Sequence, residues 1–152
     1  MPDAQSNIAK TLEEGIKNAL EDVAALRDVW INAFQIPPAD DENPAREFPQ
    51  IALGIGPEVP SGHNSTFYTA NGYFIVATHS ADTDDKKTLG TFYGALRTAI
   101  DTLNTDPDAW RDSYLPSTYV MGGLVVEDSP PPYFDENVNA IEIVFRLEFT
   151  VN

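Results

Sequence analysis

The chain has 152 residues, 42% of them apolar, and no cysteine. That length suits a single domain, residues 1–152, with one core, and the lack of cysteine excludes a disulfide framework and a thiolate metal site. With 24 acidic residues against 9 basic ones the net charge is −15, which excludes the wrapping of duplex nucleic acid, because phosphate binding needs clustered Lys and Arg.

The N-terminal residues are polar and acidic and do not read as a secretory signal. No segment approaches the roughly 20 apolar residues of a membrane span. Residues 7–26 read as an amphipathic helix: Ile8, Leu12, Ile16, Leu20 and Val23 recur at three and four, while Glu13, Glu14, Lys17, Glu21 and Asp22 take the other side. Ser6 is the expected N-cap. Gly15 costs the helix about 1 kcal/mol against Ala, so packing must hold it.

Residues 28–36 alternate weakly and carry Trp30 and Phe34. They read as a short strand that Pro37 and Pro38 stop. An acidic loop follows at 37–47, with Asp40, Asp41 and Glu42 in a row. Residues 48–55 form a second strand, and Pro49 places its start at a sheet edge. Residues 56–66 are loop. Residues 66–79 form the next strand, with a bend expected at Asn71-Gly72. Its run from Tyr73 to Ala77 is apolar on both faces, which suits a central position.

A helix opens near Asp82-Thr83-Asp84-Asp85, whose carboxylates complement its positive end. Leu89, Phe92, Tyr93, Leu96, Ile100 and Leu103 then mark its apolar stripe, and Thr105-Asp106-Pro107 ends it. Residues 105–117 read as a loop carrying Trp110. Residues 118–127 form a strand with a bulge or close backbone approach at Gly122-Gly123. Residues 128–137, DSPPPYFDEN, read as a stiff exposed connection.

The final strand, Val138–Val151, organises the rest. Ile141, Ile143, Phe145, Leu147, Phe149 and Val151 alternate with Glu142, Val144, Arg146, Glu148 and Thr150. Strict alternation over this length means one face on a core and the other on water or a partner. Six inward side chains at about 1.5–3 kcal/mol each give on the order of 10 kcal/mol of gross burial. A strand this long must lie inside a sheet or pair with another chain. The whole pattern gives an α+β fold, a two-layer, mostly antiparallel β-sheet with two main helices packed on one face.

No catalytic, cofactor-binding or metal site is expected. His63 and His79 have neither cysteine nor HExxH for company. The segment 82–85 fails as a calcium loop, because Lys86 and Lys87 occupy a ligand and the turn-glycine position. Gly54-Ile55-Gly56 lacks the third glycine of a dinucleotide loop. Glu142 and Glu148 share a face but lie roughly 20 Å apart, too far for a glycosidase pair. Pro130-Pro131-Pro132-Tyr133 fits the PPxY pattern read by WW domains, but the favoured reading is a loop stiffened by proline to fix how a hairpin end is presented. Either way Tyr133 and Phe134 stand on an exposed tip as anchors for a partner.

Four stretches in order, FPQIALGIG (48–56), YFIVATHS (73–80), TLGTFYGALRTAIDTL (88–103) and AIEIVFRLEFTV (140–151), follow an N-terminal amphipathic helix. In that order the chain resembles the tail terminator (tail-completion) proteins of tailed bacteriophages. The resemblance implies a non-enzymatic virion protein of the tail and neck, made in the host cytoplasm. Its copies would form a ring, usually a hexamer, that caps the tail tube protein. The other side of the ring would meet the head-side connector or stopper, and DNA would pass through the hole unbound. The interface residues expected on this reading are Trp30, Phe34, Tyr133, Phe134, Glu142, Arg146 and Glu148, with Arg146 paired to an acidic residue of the neighbouring copy. Another neck component, a small acidic hydrolase or ligand-binding domain, and an adaptor using the PPPY tip remain the alternatives.

Overall fold

The structure is a computed structural model that describes residues 4–33, 49–62, 66–79, 89–134 and 138–152, with side chains from Ile8 onward. Expectations that concern Phe34, the acidic loop at 37–47, His63 and the segment 82–85 fall outside these residues.

Helix α1 spans Ala4–Glu21 and a 3-10 turn follows at Ala24–Leu26. Strands β1 (Trp30–Ala33), β2 (Gln50–Ile55), β3 (Val59–Pro60) and β4 (Phe67–His79) come next. Helices α2 (Leu89–Thr105) and α3 (Pro107–Tyr114) separate them from β5 (Tyr119–Asp128), β6 (Tyr133–Phe134) and β7 (Val138–Val151). The described strands form one sheet in the order β1-β2-β4-β7-β5, with β3 paired to β4 and β6 to β7. All pairings are antiparallel except β1 with β2. The α+β expectation therefore holds, with the helices against one face of the sheet.

The alternation of β7 is the frame of the core. Ile143, Phe145, Leu147 and Phe149 are fully buried, and their neighbours across β4 are Phe74, Gly72, Ala70 and Tyr68. Phe74 and Phe145 lie 4.8 Å apart between ring centres. Tyr119 of β5 stacks on Phe149 from the other side at 6.4 Å. Gly72 makes room for this packing, since a Cβ there would lie 2.6 Å from both the Phe145 ring and the Gly54 carbonyl oxygen. The expected bend at Asn71-Gly72 is absent, and β4 pairs continuously with β7 through both residues. Ile16, Leu12 and Leu20 of α1 and Leu96 and Ile100 of α2 close the core from above.

Several boundaries differ from the sequence reading. Helix α1 starts before Ser6, so Ser6 lies inside it and is not the cap. It stops at Glu21 because Val23 is extended (φ −77°, ψ 119°). Strand β2 is not an edge: β1 pairs with it in parallel, and Trp30 donates to the carbonyl of Pro49 at 2.9 Å. Pro49 precedes the ladder, so its missing N–H costs nothing. Residues 107–114 are a helix, not a loop. Asp106 caps it by accepting from the Ala109 N–H at 3.1 Å, Pro107 sits in its first turn, and Trp110 is buried beneath it. The supposed loops also hold two short strands, β3 and β6. Gly122-Gly123 does form the expected bulge, with Gly123 at φ 151° and a register shift against β7.

Two side chains finish backbone edges. The described pairing of β1 reaches Leu53, and beyond it Glu13 of α1 accepts the Ile55 N–H at 3.1 Å. Glu13 is fully buried and so does not belong to the solvent side of its helix. On the opposite edge, the Asn104 carboxamide accepts from the Leu124 N–H and donates to the Leu124 carbonyl, both at 2.8 Å. It occupies the middle of the free edge of β5, where a further strand would otherwise pair.

Glu13→Ala should cost about 2–4 kcal/mol, because it opens a void and strands a buried N–H. Glu13→Gln keeps an acceptor and should cost clearly less. Urea midpoints of the two variants check this; equal losses would show that the Ile55 bond contributes nothing.

Candidate functional site

The sheet face away from the helices is the surface left for function. Period-two alternation puts Trp30 and Asn32 of β1 on it, with Gln50, Ala52 and Gly54 of β2. Strand β4 contributes Asn71, Tyr73, Ile75 and Ala77, and β7 contributes Ala140, Glu142, Val144, Arg146 and Glu148. Register lines these up in rows. One row runs Trp30, Gln50, Ala77, Ala140, Tyr133 across five strands. Two aromatics, roughly 19 Å apart at four strand spacings, thus flank Gln50, Ala77 and Ala140.

The expected interface residues divide accordingly. Glu142, Arg146 and Glu148 share the outer face of β7, as their spacing requires. Trp30 is half-buried on β1, and its indole Nε1 is buried without a partner among the described residues. Tyr133 and Phe134 are 62% and 68% exposed, the most exposed large apolar side chains described. They are not on a free loop, since both pair with β7 at Ala140 and Asn139. Phe34 lies outside the described residues. Arg146 is engaged within its own chain, 3.5 Å from Glu127 and 3.1 Å from Glu148. Both pairs are more than a third exposed, so each contributes at most about 1 kcal/mol.

Among the described residues, two cavities stand out. One, of 440 Å3, lies on the outer sheet face and is lined by Gly54, Gly56, Gly72, Asn71, Tyr73, Glu142 and Val144. The other, of 360 Å3, lies between α1 and α2 among Ala19, Leu20, Ala95 and Ala99. Tyr114 donates to Asp22 at 2.6 Å beside it. Among the described residues each cavity is lined by a single carboxylate, Glu142 in the first and Asp22 in the second. Among the described residues no cluster of His, Asp and Glu could hold a metal ion, and no helix is long and apolar enough to cross a membrane.

Comparison with solved structures finds a chain from the "Virion of native gene transfer agent (GTA) particle". The two superpose with a TM-score of 0.54 at 17% identity, over 97% of this chain and 98% of that one. This chain shares its fold with a virion protein. No protein-family profile and no curated protein matches it in sequence. The likeness covers nearly all of both chains.

Sequence reasoning took Asn71-Gly72 for a bend, Gly54-Ile55-Gly56 for a failed dinucleotide loop and Tyr73 for the start of an apolar run, and assigned none of them to a site. Tyr73 sits in an apolar run, and nothing in that run separates a ring on the outer face from one in the core. It also missed a buried polar group at the far end of the sheet. Glu58 is 5% exposed, and its Oε2 has no partner among the described residues. Burial raises its pKa above the ordinary 4.5, partly offset by a backbone hydrogen bond. Burial likewise pushes Tyr119 up, against a hydrogen bond with Thr11, and the charge of Glu58 adds to the rise.

Because the folded pKa of Glu58 is raised, the native state binds more protons between the unfolded and folded values. Its contribution to stability is therefore greatest in acid and is lost as pH rises through that window. Glu58→Gln removes the effect. Relative to the parent, the variant should gain stability as pH rises above the ordinary carboxylate value of 4.5, as read from urea midpoints; a difference that does not change with pH would contradict this.

Proposed function

We propose that the chain is a virion structural protein that closes a phage-type tail. Copies form a ring, a hexamer on the family pattern, that caps the tail tube, ends its elongation and docks to the head-side connector. The observation that carries this reading is the full-length likeness to a chain of a gene transfer agent virion. It agrees with the order of elements by which the sequence resembles tail terminators.

Assembly on this reading is contact without covalent chemistry. A ring needs heterologous contacts that repeat about an axis. The outer sheet face, with Trp30, Glu142, Arg146 and Glu148, and the Tyr133-Phe134 tip are the surfaces we assign to it. A contact by simple strand addition along all of β5 is disfavoured, because Asn104 already fills that edge at Leu124. Six copies at −15 bring about −90 around one axis, which repels DNA from the wall and lets it pass.

A second reading places the chain elsewhere in the neck, as a stopper or adaptor. The virion likeness supports it equally, since it speaks for a particle and not for a position in it. Deleting the chain separates the two. A cap that ends elongation leaves, when lost, tubes of uncontrolled length in negative-stain images. Loss of a head-side stopper leaves tails of uniform length without heads. Immunogold label on intact virions should fall at one site between tail and head; label along the tube or over the capsid would overturn both readings.

A further inference from the structure

The cavity on the outer sheet face has a composition of its own. Gly54, Gly56 and Gly72 are among its lining residues; Gly54 is buried, while Gly56 and Gly72 are half-buried. The Tyr73 ring lies over Gly54, its hydroxyl 2.7 Å from where a Cβ of that residue would sit. Asn71 and Glu142 flank the ring, and Val144 lies directly across from it on β7. Glu142 is exposed and has no ion-pair partner among the described residues. The nearest cation on its strand face, Arg146, is held by Glu127 and Glu148. The outer face of β5 and β7 therefore keeps negative charge uncompensated at this point.

We propose that this cavity is a socket for an arginine side chain of a partner protein. Its parts match what a guanidinium requires. An aromatic face attracts a cation through the ring quadrupole. A carboxylate accepts two parallel N–H bonds, which a planar fork can give and an ammonium cannot. The Asn71 carboxamide offers a further acceptor. Tyr73 and Glu142 stand as diagonal neighbours on adjacent strands, about 7–8 Å apart at the backbone, a gap suited to a plane stacked on one and bonded to the other. Gly56, half-buried and with only the Asn71 carbonyl near where a Cβ would sit, leaves space for the aliphatic stem. The charge of −15 draws a basic partner towards this surface. The socket is complete in one copy, so it does not rest on the ring, and each proposal can fail without the other.

The test uses the full chain, labelled at its glycine amides and valine methyls, titrated with N-acetyl-arginine amide at low salt. N-acetyl-citrulline amide, which keeps the shape and lacks the charge, and N-acetyl-norleucine amide serve as controls. Signals of Gly54, Gly56, Gly72 and Val144 should shift saturably with the arginine probe, in the millimolar range expected of a single side chain. Citrulline and norleucine should bind at least threefold more weakly, and Glu142→Gln should weaken the arginine probe by a similar factor. Gly54→Ala, which must swing the Tyr73 ring aside, should do the same. Silence of these signals, equal shifts with norleucine, or unchanged binding by Glu142→Gln would overturn the proposal.

Discussion

The structure depends on the pairing of β4 with β7. Thirteen residue pairs run without a break from Phe67 with Thr150 to His79 with Val138. This ladder fixes which side chains face the helices and which face away, because a slip of one residue would exchange the two sets. Phe74, Phe145 and Phe149 are fully buried only in this register. Gly72 is part of the same constraint: it is the place where the ring of Phe145 and the backbone of β2 leave no room for a side chain.

The remaining elements complete what that ladder leaves open. Strands β2 and β3 cover one side of β4, while β5 and β6 cover the far side of β7. Where strands run out, side chains take their place: Glu13 at Ile55 and Asn104 at Leu124. The outcome is a molecule with one face committed to its own core and little free edge at the middle of β5. On the function proposed above, contact with partners falls to the outer sheet face and to the aromatic tip. That division suits a protein whose work is assembly, and it explains how Glu142 can stay unpaired on a strand that is otherwise structural.

Much of this was legible in sequence. The alternation from Val138 to Val151 gave both the bounds and the buried face of β7, since period two has only one geometric meaning at that length. The apolar run at Tyr73 rightly placed β4 in the interior of the sheet. Helix α3 was missed because Trp110 is its one buried large residue, although Asp106-Pro107 is a regular start signal. Glu13 was misplaced because charge was taken as exposure. Its position four residues after Ala9 and three before Ile16 puts it in the buried stripe. The socket around Tyr73 could not be read at all. It is assembled across three strands, and cross-strand register is a tertiary property. The stretches that carry the resemblance to tail terminators are the same ones that build the sheet and α2, so they speak for the fold more than for a position in the virion.

Native-state hydrogen exchange tests the central claim most directly. If the β4–β7 ladder is the constraint on which the rest depends, the amides of Phe74, Val76, Ile143, Phe145 and Leu147 should be the slowest in the chain. They should exchange only through global unfolding, with the same denaturant dependence as the whole molecule. Exchange of these amides through a smaller opening, while Leu96 and Ile100 of α2 stay protected, would contradict it.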